Sequence, residues 1–221
     1  MGISEKIPPL PSIALGTSDI SVYEMVGAYG AFANKGIYVE PIMVTTIEDK
    51  NGTVVYEVVP ETKDVLSEET AYVTLSLMKG VTESGSGQRL RHSGAEENNY
   101  AYKTIVTGYP YQFTNPIAGK TGTTQNQSDG WFMGIVPNLV TGVWVGGEDR
   151  SVHFEDIAFG QGATMALPIW AQYMKNAYSN EELNISSESF PVPDLVSIPL
   201  DCASLRIDIS DEDKDLKKLG F

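Results

Sequence analysis

Residues 116–124 combine one cation, several hydroxyl groups and two glycines in a stretch that is typical of an extended strand. The proline at its start has no N–H to give to a sheet, which suits the beginning of a strand. Such a strand can receive a peptide as an additional strand, main chain to main chain. Lys120, Thr121 and Thr123 could then bind a carboxylate of that peptide, because hydrogen bonds to an ionised group are stronger than neutral ones. Gly122 leaves room for a close backbone approach.

The sequence that follows predicts two more strands. Asp129-Gly130 is a pair typical of a tight turn, and residues 131–136 are an apolar run that predicts a strand buried on both faces. Pro137-Asn138 predicts a second turn, and Val140–Gly146 a third strand. Strands joined by short turns form an antiparallel meander. Because the Lys120 strand comes first, it can lie at an edge of the sheet with one side free.

Three helices are predicted to position these strands. Ser21 and Glu24 have the spacing of a capping box. The apolar residues that follow recur at helical spacing, and Gly36 is predicted to be the C′ residue that ends the helix. A second helix is predicted from Ser67 to Thr82, and a third, packing across the sheet, from Ala163 to Tyr178.

The remaining segments predict a hairpin and two loops. The hairpin occupies residues 39–59, and its strands and turn are Val44–Ile47, Asp49–Gly52 and Val54–Val58. From Ser84 to Tyr111 the chain is rich in glycine and predicts a loop that borders the site, since it leads directly into the Lys120 strand. A small basic island within that loop consists of Arg89, Arg91 and His92. Residues 151–162 predict a further loop.

The composition excludes several classes of function. Twenty-nine acidic against fifteen basic residues give a formal charge of −14, which disfavours nucleic acid and anionic membrane surfaces as partners. The single Cys202 cannot form an internal disulfide, and His92 and His153 are not grouped with cysteines as zinc ligands would be. We therefore predict no metal and no cofactor. No apolar stretch approaches the length of a membrane span.

Several motifs together resemble the penicillin-binding proteins, and most closely their bifunctional, class A branch. The third active-site motif of that family is similar to Gly119–Thr124 with the segments Asp129–Phe132 and Val143–Gly146 that follow it. The likeness also includes Pro11–Gly16, Ala28–Gly36 and Ala166–Trp170. It implies an α+β fold of the β-lactamase/transpeptidase type, an antiparallel sheet flanked by helices. Residues 1–180 would form the C-terminal part of the transpeptidase domain, from which the hairpin at 39–59 projects, and residues 181–221 an irregular acidic tail.

The resemblance also implies a reaction. In D,D-transpeptidases of this family, a serine attacks the penultimate D-alanine carbonyl of a peptidoglycan stem peptide, and an acceptor amine resolves the acyl-enzyme. Penicillins are similar to the D-Ala-D-Ala end and acylate the same serine. By this resemblance Lys120 is catalytic and Thr121, Gly122 and Thr123 bind the substrate, with the Thr123 N–H in the oxyanion hole. The family works outside the cytoplasm, on the periplasmic face of the inner membrane, anchored near the N-terminus.

The family's nucleophile is a serine followed three residues later by a lysine, a spacing that occurs here once, at Ser76 and Lys79. The family's serine begins its helix, where the helix dipole favours developing negative charge, whereas Ser76 falls well inside the predicted second helix. We interpret the match as accidental. The nearby Val81–Gly87 also resembles a family segment that lies between the second and third motifs.

The nucleophile is therefore expected on sequence upstream of this chain, which would be the later part of a longer protein. Upstream sequence would also supply strands beyond Val140–Gly146, whose apolar edge is an aggregation hazard when bare. We expect upstream sequence or a second chain to cover that edge.

Two alternative functions compete with this one. The chain by itself could be a catalytically inert peptide-binding or structural fragment. Gly119-Lys120-Thr121 also match the end of a phosphate-binding loop, but that motif needs a glycine where Thr114 stands. It also needs a helix after the lysine, where the sequence continues as strand and turn. Nucleotide binding is therefore disfavoured.

Overall fold

A computed structural model gives an α+β fold in which helices cover a three-stranded antiparallel sheet. The structure describes residues 1–4, 6–93 and 108–200. The helices are α1 (Val22–Ala33), α2 (Glu68–Glu83), α3 (Ile157–Gly160), α4 (Gly162–Met165) and α5 (Leu167–Ser179). The strands are β1 (Ile37–Val39), β2 (Thr46–Glu48), β3 (Val54–Glu57), β4 (Thr62–Asp64), β5 (Ala118–Thr123), β6 (Asp129–Val136) and β7 (Leu139–Gly146). Short 3-10 helices occupy Pro11–Leu15, Gln88–Leu90, Gln125–Gln127 and Glu181–Leu183.

The predicted capping box at the start of α1 is confirmed. Ser21 Oγ accepts the N–H of Glu24 (3.2 Å), and the Glu24 carboxylate accepts the N–H of Ser21 (3.3 Å). The same carboxylate accepts the hydroxyl (2.6 Å) and N–H (3.0 Å) of Ser4. These bonds, the Ser4 hydroxyl first among them, lower the pKa of Glu24 to about 2. One exposed carboxylate thus ties the start of the chain to α1.

The end of α1 differs from the prediction by one residue. Asn34 caps the helix, and Lys35, with a φ of 55°, occupies the left-handed C′ position that we assigned to Gly36. The N–H of Gly36 donates to the Ala31 carbonyl (2.7 Å), as in a Schellman motif. Position 36 still requires glycine, because its φ is +91° and a Cβ there would lie 2.2 Å from the Leu66 carbonyl oxygen.

The predicted hairpin is confirmed between β2 and β3, which pair antiparallel. Its turn is stabilised by Asp49 Oδ1, which accepts the N–H groups of Asn51 (2.7 Å) and Thr53 (2.9 Å). Every residue of β2 and β3 is exposed. The antiparallel pair β1–β4, which was not predicted, joins the two ends of this region.

The predicted meander is confirmed as well, with strand order β5-β6-β7 among the described residues. Its first turn is not where we predicted it. Asp129 and Gly130 lie within β6, paired with Gly146 and Val145 of β7. The chain reverses earlier, at Gln125–Gln127, where two residues adopt φ values of 63° and 54°. The turn therefore uses left-handed backbone, and the Asp-Gly pair is left free to join the sheet.

Helices cover both faces of the main sheet. On one face, Phe132 of β6 contacts Trp170 of α5 edge to face, with ring centroids 5.2 Å apart, and both side chains are fully buried. On the other face, Ala118 and Ile135 pack with Leu75 of α2. β6 is therefore buried on both faces, as its apolar sequence predicted.

The helix predicted at Ala163–Tyr178 packs on the sheet but is divided at Ala166 into α4 and α5. Pro168 lies in the first turn of α5, where its absent N–H would have no intrahelical acceptor. The segment predicted to be a loop at Ser151–Gly162 contains the short helix α3, because Asp156 caps it by accepting the N–H of Ala158 (2.6 Å).

After α5 the described chain is mostly irregular, yet it packs on the domain. Phe190 is buried against the α2 side of the sheet, and the Ser197 hydroxyl donates to Glu69 of α2 (2.7 Å). Residues 94–107 of the predicted long loop and the acidic end of the tail, 201–221, lie outside the described residues. The division of the chain at residue 180 stays a prediction.

Glu24→Gln should weaken the dependence of stability on pH in acid. The folded-state pKa of Glu24, about 2, lies below its ordinary value of 4.5. The carboxylate therefore stabilises the fold fully above about pH 4.5, and this stabilisation is lost as the pH falls through 2. When urea unfolding is measured at a series of pH values below neutral, the free energy of unfolding should fall more steeply with decreasing pH for the wild type than for Glu24→Gln. The exposed Glu57→Gln variant controls for net charge. If the free energy of unfolding depended on pH equally in Glu24→Gln and in the wild type, the stabilising role of the Glu24 carboxylate would be contradicted.

Candidate functional site

The strand β5 lies at an edge of the main sheet, with β6 on one side and no strand on the other among the described residues. Its register places Lys120 opposite Met133 and Thr121 opposite Phe132. An edge strand presents backbone N–H and C=O groups that another chain can pair with. The predicted edge position of the Lys120 strand is confirmed.

The side chains of β5 alternate between its two faces. Lys120 and Gly122 share the face of Ala118, on which α2 packs. Thr121 and Thr123 share the opposite face, toward α4 and α5. A ligand lying along the free edge can therefore be reached from both faces of the strand.

Each threonine hydroxyl of β5 has a defined partner. Thr123 Oγ1 accepts the N–H of Gly162, the first residue of α4 (2.9 Å), so the hydroxyl hydrogen of Thr123 can be donated to a ligand. Thr121 Oγ1 lies 2.6 Å from Ser86 Oγ. The exposed Lys120 ammonium donates to the Thr121 carbonyl (2.6 Å). Since an ammonium carries three hydrogens, the others can reach an anion at the edge.

Glycine at position 162 lets α4 approach β5 this closely. A Cβ there would lie 2.2 Å from the carbonyl oxygen of Gly122 and 2.5 Å from that of Trp131. We predicted that Gly122 leaves room for another backbone to approach closely. The structure brings α4 against this residue, and the approach orients Thr123.

Two residues anchor the start of β5: Thr82, which sequence reasoning missed, and Arg91, which it named only as part of a basic island. Thr82, fully buried near the end of α2, donates its hydroxyl hydrogen to the Ile117 carbonyl (2.6 Å). Arg91 donates to the Thr82 hydroxyl (2.9 Å) and to the carbonyls of Asn115 (2.5 Å) and Phe113 (3.2 Å). Burial lowers the pKa of the Arg91 guanidinium, which stays charged because arginine titrates far above neutral pH.

The other arginine of the basic island also points inward. Arg89 is buried and donates to the Ala163 carbonyl (3.0 Å) and the Thr164 hydroxyl (2.7 Å), both in α4. Arg89 thus links the segment after α2 to α4, and Arg91 links it to the residues just before β5. Its basic composition was the available signal, but composition does not reveal that the guanidinium groups bind backbone carbonyls.

Asp129 fixes the far end of β5. Its carboxylate accepts the hydroxyls of Thr124 (3.0 Å) and Ser128 (3.1 Å) and the indole N–H of Trp144 (3.0 Å). Its own N–H donates to Thr124 Oγ1 (2.9 Å). These bonds satisfy a buried carboxylate and explain why Asp129 belongs to β6 and not to the turn.

Ser76 lies inside α2, nine residues beyond the Ser67 cap, and is half-buried. Its predicted position within a helix is confirmed. Lys79 follows one turn later, toward the end of the helix. The interpretation of this serine–lysine spacing as accidental stays a prediction.

Within the described ranges, no group of three or more His, Cys, Asp or Glu side chains is placed to hold a metal ion. His92 Nδ1 lies 3.3 Å from the Tyr109 hydroxyl, and His153 Nδ1 lies 3.0 Å from the Phe154 carbonyl. In the same part of the chain, no helix combines the length and apolar character needed to cross a bilayer.

The sheet, its helical layers and the Lys-Thr-Gly edge strand agree with the transpeptidase class that the motifs indicated. The family model described as "Penicillin binding protein transpeptidase domain" matches residues 10–182. The chain therefore belongs to the penicillin-binding protein transpeptidase family, and the predicted family and α+β fold are confirmed.

Individual relatives support this family assignment. The chain is 32% identical over 191 residues to penicillin-binding protein 1A of Aquifex aeolicus, a match that covers 85% of this chain and 23% of that protein. It is 36% identical over 182 residues to penicillin-binding protein 2D of Bacillus subtilis, covering 81% and 23%. The chain thus spans about a quarter of the length of these curated relatives.

Solved structures show the same fold. The penicillin-binding protein PonA1 of Mycobacterium tuberculosis superimposes with a TM-score of 0.65 and 26% identity, over 86% of this chain and 45% of that chain. Penicillin-binding protein 1A of Haemophilus influenzae superimposes with a TM-score of 0.60 and 25% identity, over 83% and 29%. The predicted likeness to the class A branch agrees with these names.

Thr82→Val should destabilise the domain by about 1–3 kcal/mol, because it removes the hydroxyl that binds Ile117 and leaves buried groups unpaired. The melting temperature should fall by about 2–4 °C for each kcal/mol. Thr74→Val is the matched control: its hydroxyl donates only to the Thr70 carbonyl one turn earlier (2.8 Å), so thermal unfolding should change little. Equal melting temperatures for the two variants would show that Thr82 is not an anchor.

Proposed function

We propose that this chain forms the substrate-binding wall of a serine D,D-transpeptidase that cross-links peptidoglycan stem peptides. The observation that carries the proposal is the edge of β5, which is unpaired in the described part of the chain, with Lys120 on one face and two hydroxyls on the other. A stem peptide ending in D-Ala-D-Ala would add to this edge as a strand. The edge supplies main-chain hydrogen bonds, and the side chains supply selectivity for the peptide terminus.

The terminal carboxylate of the peptide would be bound by Lys120, Thr121 and Thr123. The N–H of Gly162 occupies an acceptor site of Thr123 Oγ1, which favours donation of the Thr123 hydrogen to an anion. The Lys120 ammonium adds opposite charge at the same edge, and charge-assisted bonds of this kind are about twice as strong as neutral ones. Gly122 contributes backbone only, in the segment along which the peptide would lie.

The reaction would proceed by acyl transfer. A serine outside this chain attacks the penultimate D-alanine carbonyl and its proton passes to a neighbouring base. The base then gives that proton to the departing amine, and the terminal D-alanine leaves. The backbone N–H of Thr123 would help to stabilise the oxyanion of the tetrahedral intermediate. An acceptor amine then attacks the acyl-enzyme, forms the cross-link and releases the serine. Penicillins would acylate the same serine.

The nucleophile is assigned to upstream polypeptide for two reasons. The one serine–lysine pair at the family's spacing, Ser76 and Lys79, does not begin its helix: Ser76 lies in the middle of α2, away from the N-terminal turn where the helix dipole would stabilise developing negative charge. The chain also spans only 23% of its curated relatives. Upstream sequence or a second chain would cover the outer edge of β7, which pairs only with β6 in the described residues. The longer protein would be anchored in the inner membrane, with this domain on the periplasmic face.

A catalytically inert, peptide-binding fragment is the alternative for the chain by itself. It would use the same edge and the same carboxylate contacts, without acyl transfer. Nucleotide binding is disfavoured, because Gly119, Lys120 and Thr121 lie in β5, whereas a phosphate-binding loop presents its lysine at the start of a helix.

Fluorescent penicillin and denaturing gels test this proposal. A protein in which this chain follows its native upstream sequence should be labelled covalently, and Lys120→Ala should reduce the labelling rate by about tenfold or more, because a hydrogen bond to a charged group contributes about 1.5–3 kcal/mol. Lys63→Ala, which removes an exposed lysine of β4, is the matched control and should be labelled like the wild type.

Three results would contradict the proposal. They are absence of label from the longer protein, equal labelling of the Lys120→Ala and Lys63→Ala variants, and loss of label in Ser76→Ala. The last result would make Ser76 the nucleophile. The chain alone, without upstream sequence, should not be labelled.

A further inference from the structure

A tight turn at Ser84–Gly87 carries the chain from the end of α2 past β5. The Gly87 N–H donates to the Val81 carbonyl (2.9 Å), and the Ser84 N–H donates to the Gly80 carbonyl (3.0 Å). A Cβ at Gly85 would lie 2.8 Å from Val81 Cα. The turn is therefore held against the last turn of α2 and cannot move without breaking these contacts.

The turn places an exposed serine against the proposed carboxylate site. Ser86 Oγ lies 2.6 Å from Thr121 Oγ1, across 35 positions of sequence. Either oxygen can be the donor, and in both cases one hydroxyl hydrogen of the pair is used between them and the other is free. The sequence of Val81–Gly87 resembled a family segment, but nothing in it indicated which side chain would meet the Lys-Thr-Gly strand.

We propose that Ser86 is a positioning residue that orients the Thr121 hydroxyl toward the terminal carboxylate of the substrate. An isolated threonine hydroxyl can rotate and donate in several directions. When Ser86 donates to Thr121 Oγ1, the hydrogen of Thr121 is left for the anion, and the chain of two hydroxyls strengthens both bonds. The inference rests on the proposed function. It states that Ser86 increases the preference of the site for ligands that carry a free carboxylate.

The hydroxyl groups of Thr121 and Thr123 are then oriented in the same way. The Thr123 oxygen accepts a backbone N–H from α4, and the Thr121 oxygen accepts a hydroxyl from the turn after α2. Each oxygen receives one hydrogen bond from the protein, so each hydroxyl hydrogen is directed to the ligand. An ester in place of the carboxylate would be a weaker acceptor and would gain less from this arrangement.

The test compares acylation by benzylpenicillin with acylation by its carboxyl methyl ester, in the protein that contains the native upstream sequence. Ser86→Ala should lower the second-order acylation rate constant for the free acid about three- to tenfold and leave that for the ester nearly unchanged. Ser86→Thr, which keeps a hydroxyl, should restore the selectivity for the acid. Ser84→Ala, a serine of the same turn, should behave like the wild type.

A double-mutant cycle shows whether Ser86 acts through Thr121 or contacts the ligand independently. In a Thr121→Val background, Ser86→Ala should cause no further loss, since Ser86 acts through Thr121. The inference is overturned by an equal loss for acid and ester, by a loss in Ser84→Ala as large as in Ser86→Ala, or by a further loss in the Thr121→Val background. Melting temperatures of all variants identify any loss that comes from unfolding. Failure of the wild type to be acylated would instead overturn the proposed function.

Discussion

The free edge of β5 is the constraint on which the proposed site depends. A strand can accept a peptide only if one of its two hydrogen-bonding sides is unoccupied, but an edge strand then has one neighbour instead of two to hold it in place. The structure supplies the missing support from the faces and ends of the strand. The Thr82 hydroxyl binds the Ile117 carbonyl at the start, and Asp129 fixes the turn that follows. Among the residues that the structure describes, the edge is therefore unpaired and firmly positioned.

The same contacts prepare the hydroxyl groups of the strand. Gly162 and Ser86 come from segments on either side of β5 in the sequence and engage Thr123 and Thr121 respectively. Neither contact occupies the edge itself. A site arranged in this way needs little reorganisation when an anion binds, which is the condition for strong electrostatic stabilisation.

The charge of the whole chain and the charge of the proposed site have opposite signs. The formal charge of −14 works against long-range attraction of an anionic ligand, although salt screens exposed charges beyond about 8 Å at physiological ionic strength. Contact with Lys120 and the threonine hydroxyls is consequently what would select a carboxylate. The nearby Arg89 and Arg91 do not present a basic surface, because their guanidinium groups bind carbonyl and hydroxyl oxygens within the fold.

The sequence alone determined features that depend on neighbouring residues: the capping box of α1, the β2–β3 hairpin, the meander and the edge position of β5. Apolar periodicity and turn chemistry act over a few residues, so they can be read without coordinates. Tertiary structure decided the rest. Thr82 meets Ile117 across 35 positions and Gly162 meets Thr123 across 39, and no local pattern specifies such pairs. Asp129 and Gly130 do not form the predicted turn, because they pair with Gly146 and Val145 of β7 and the buried Asp129 carboxylate accepts the indole N–H of Trp144.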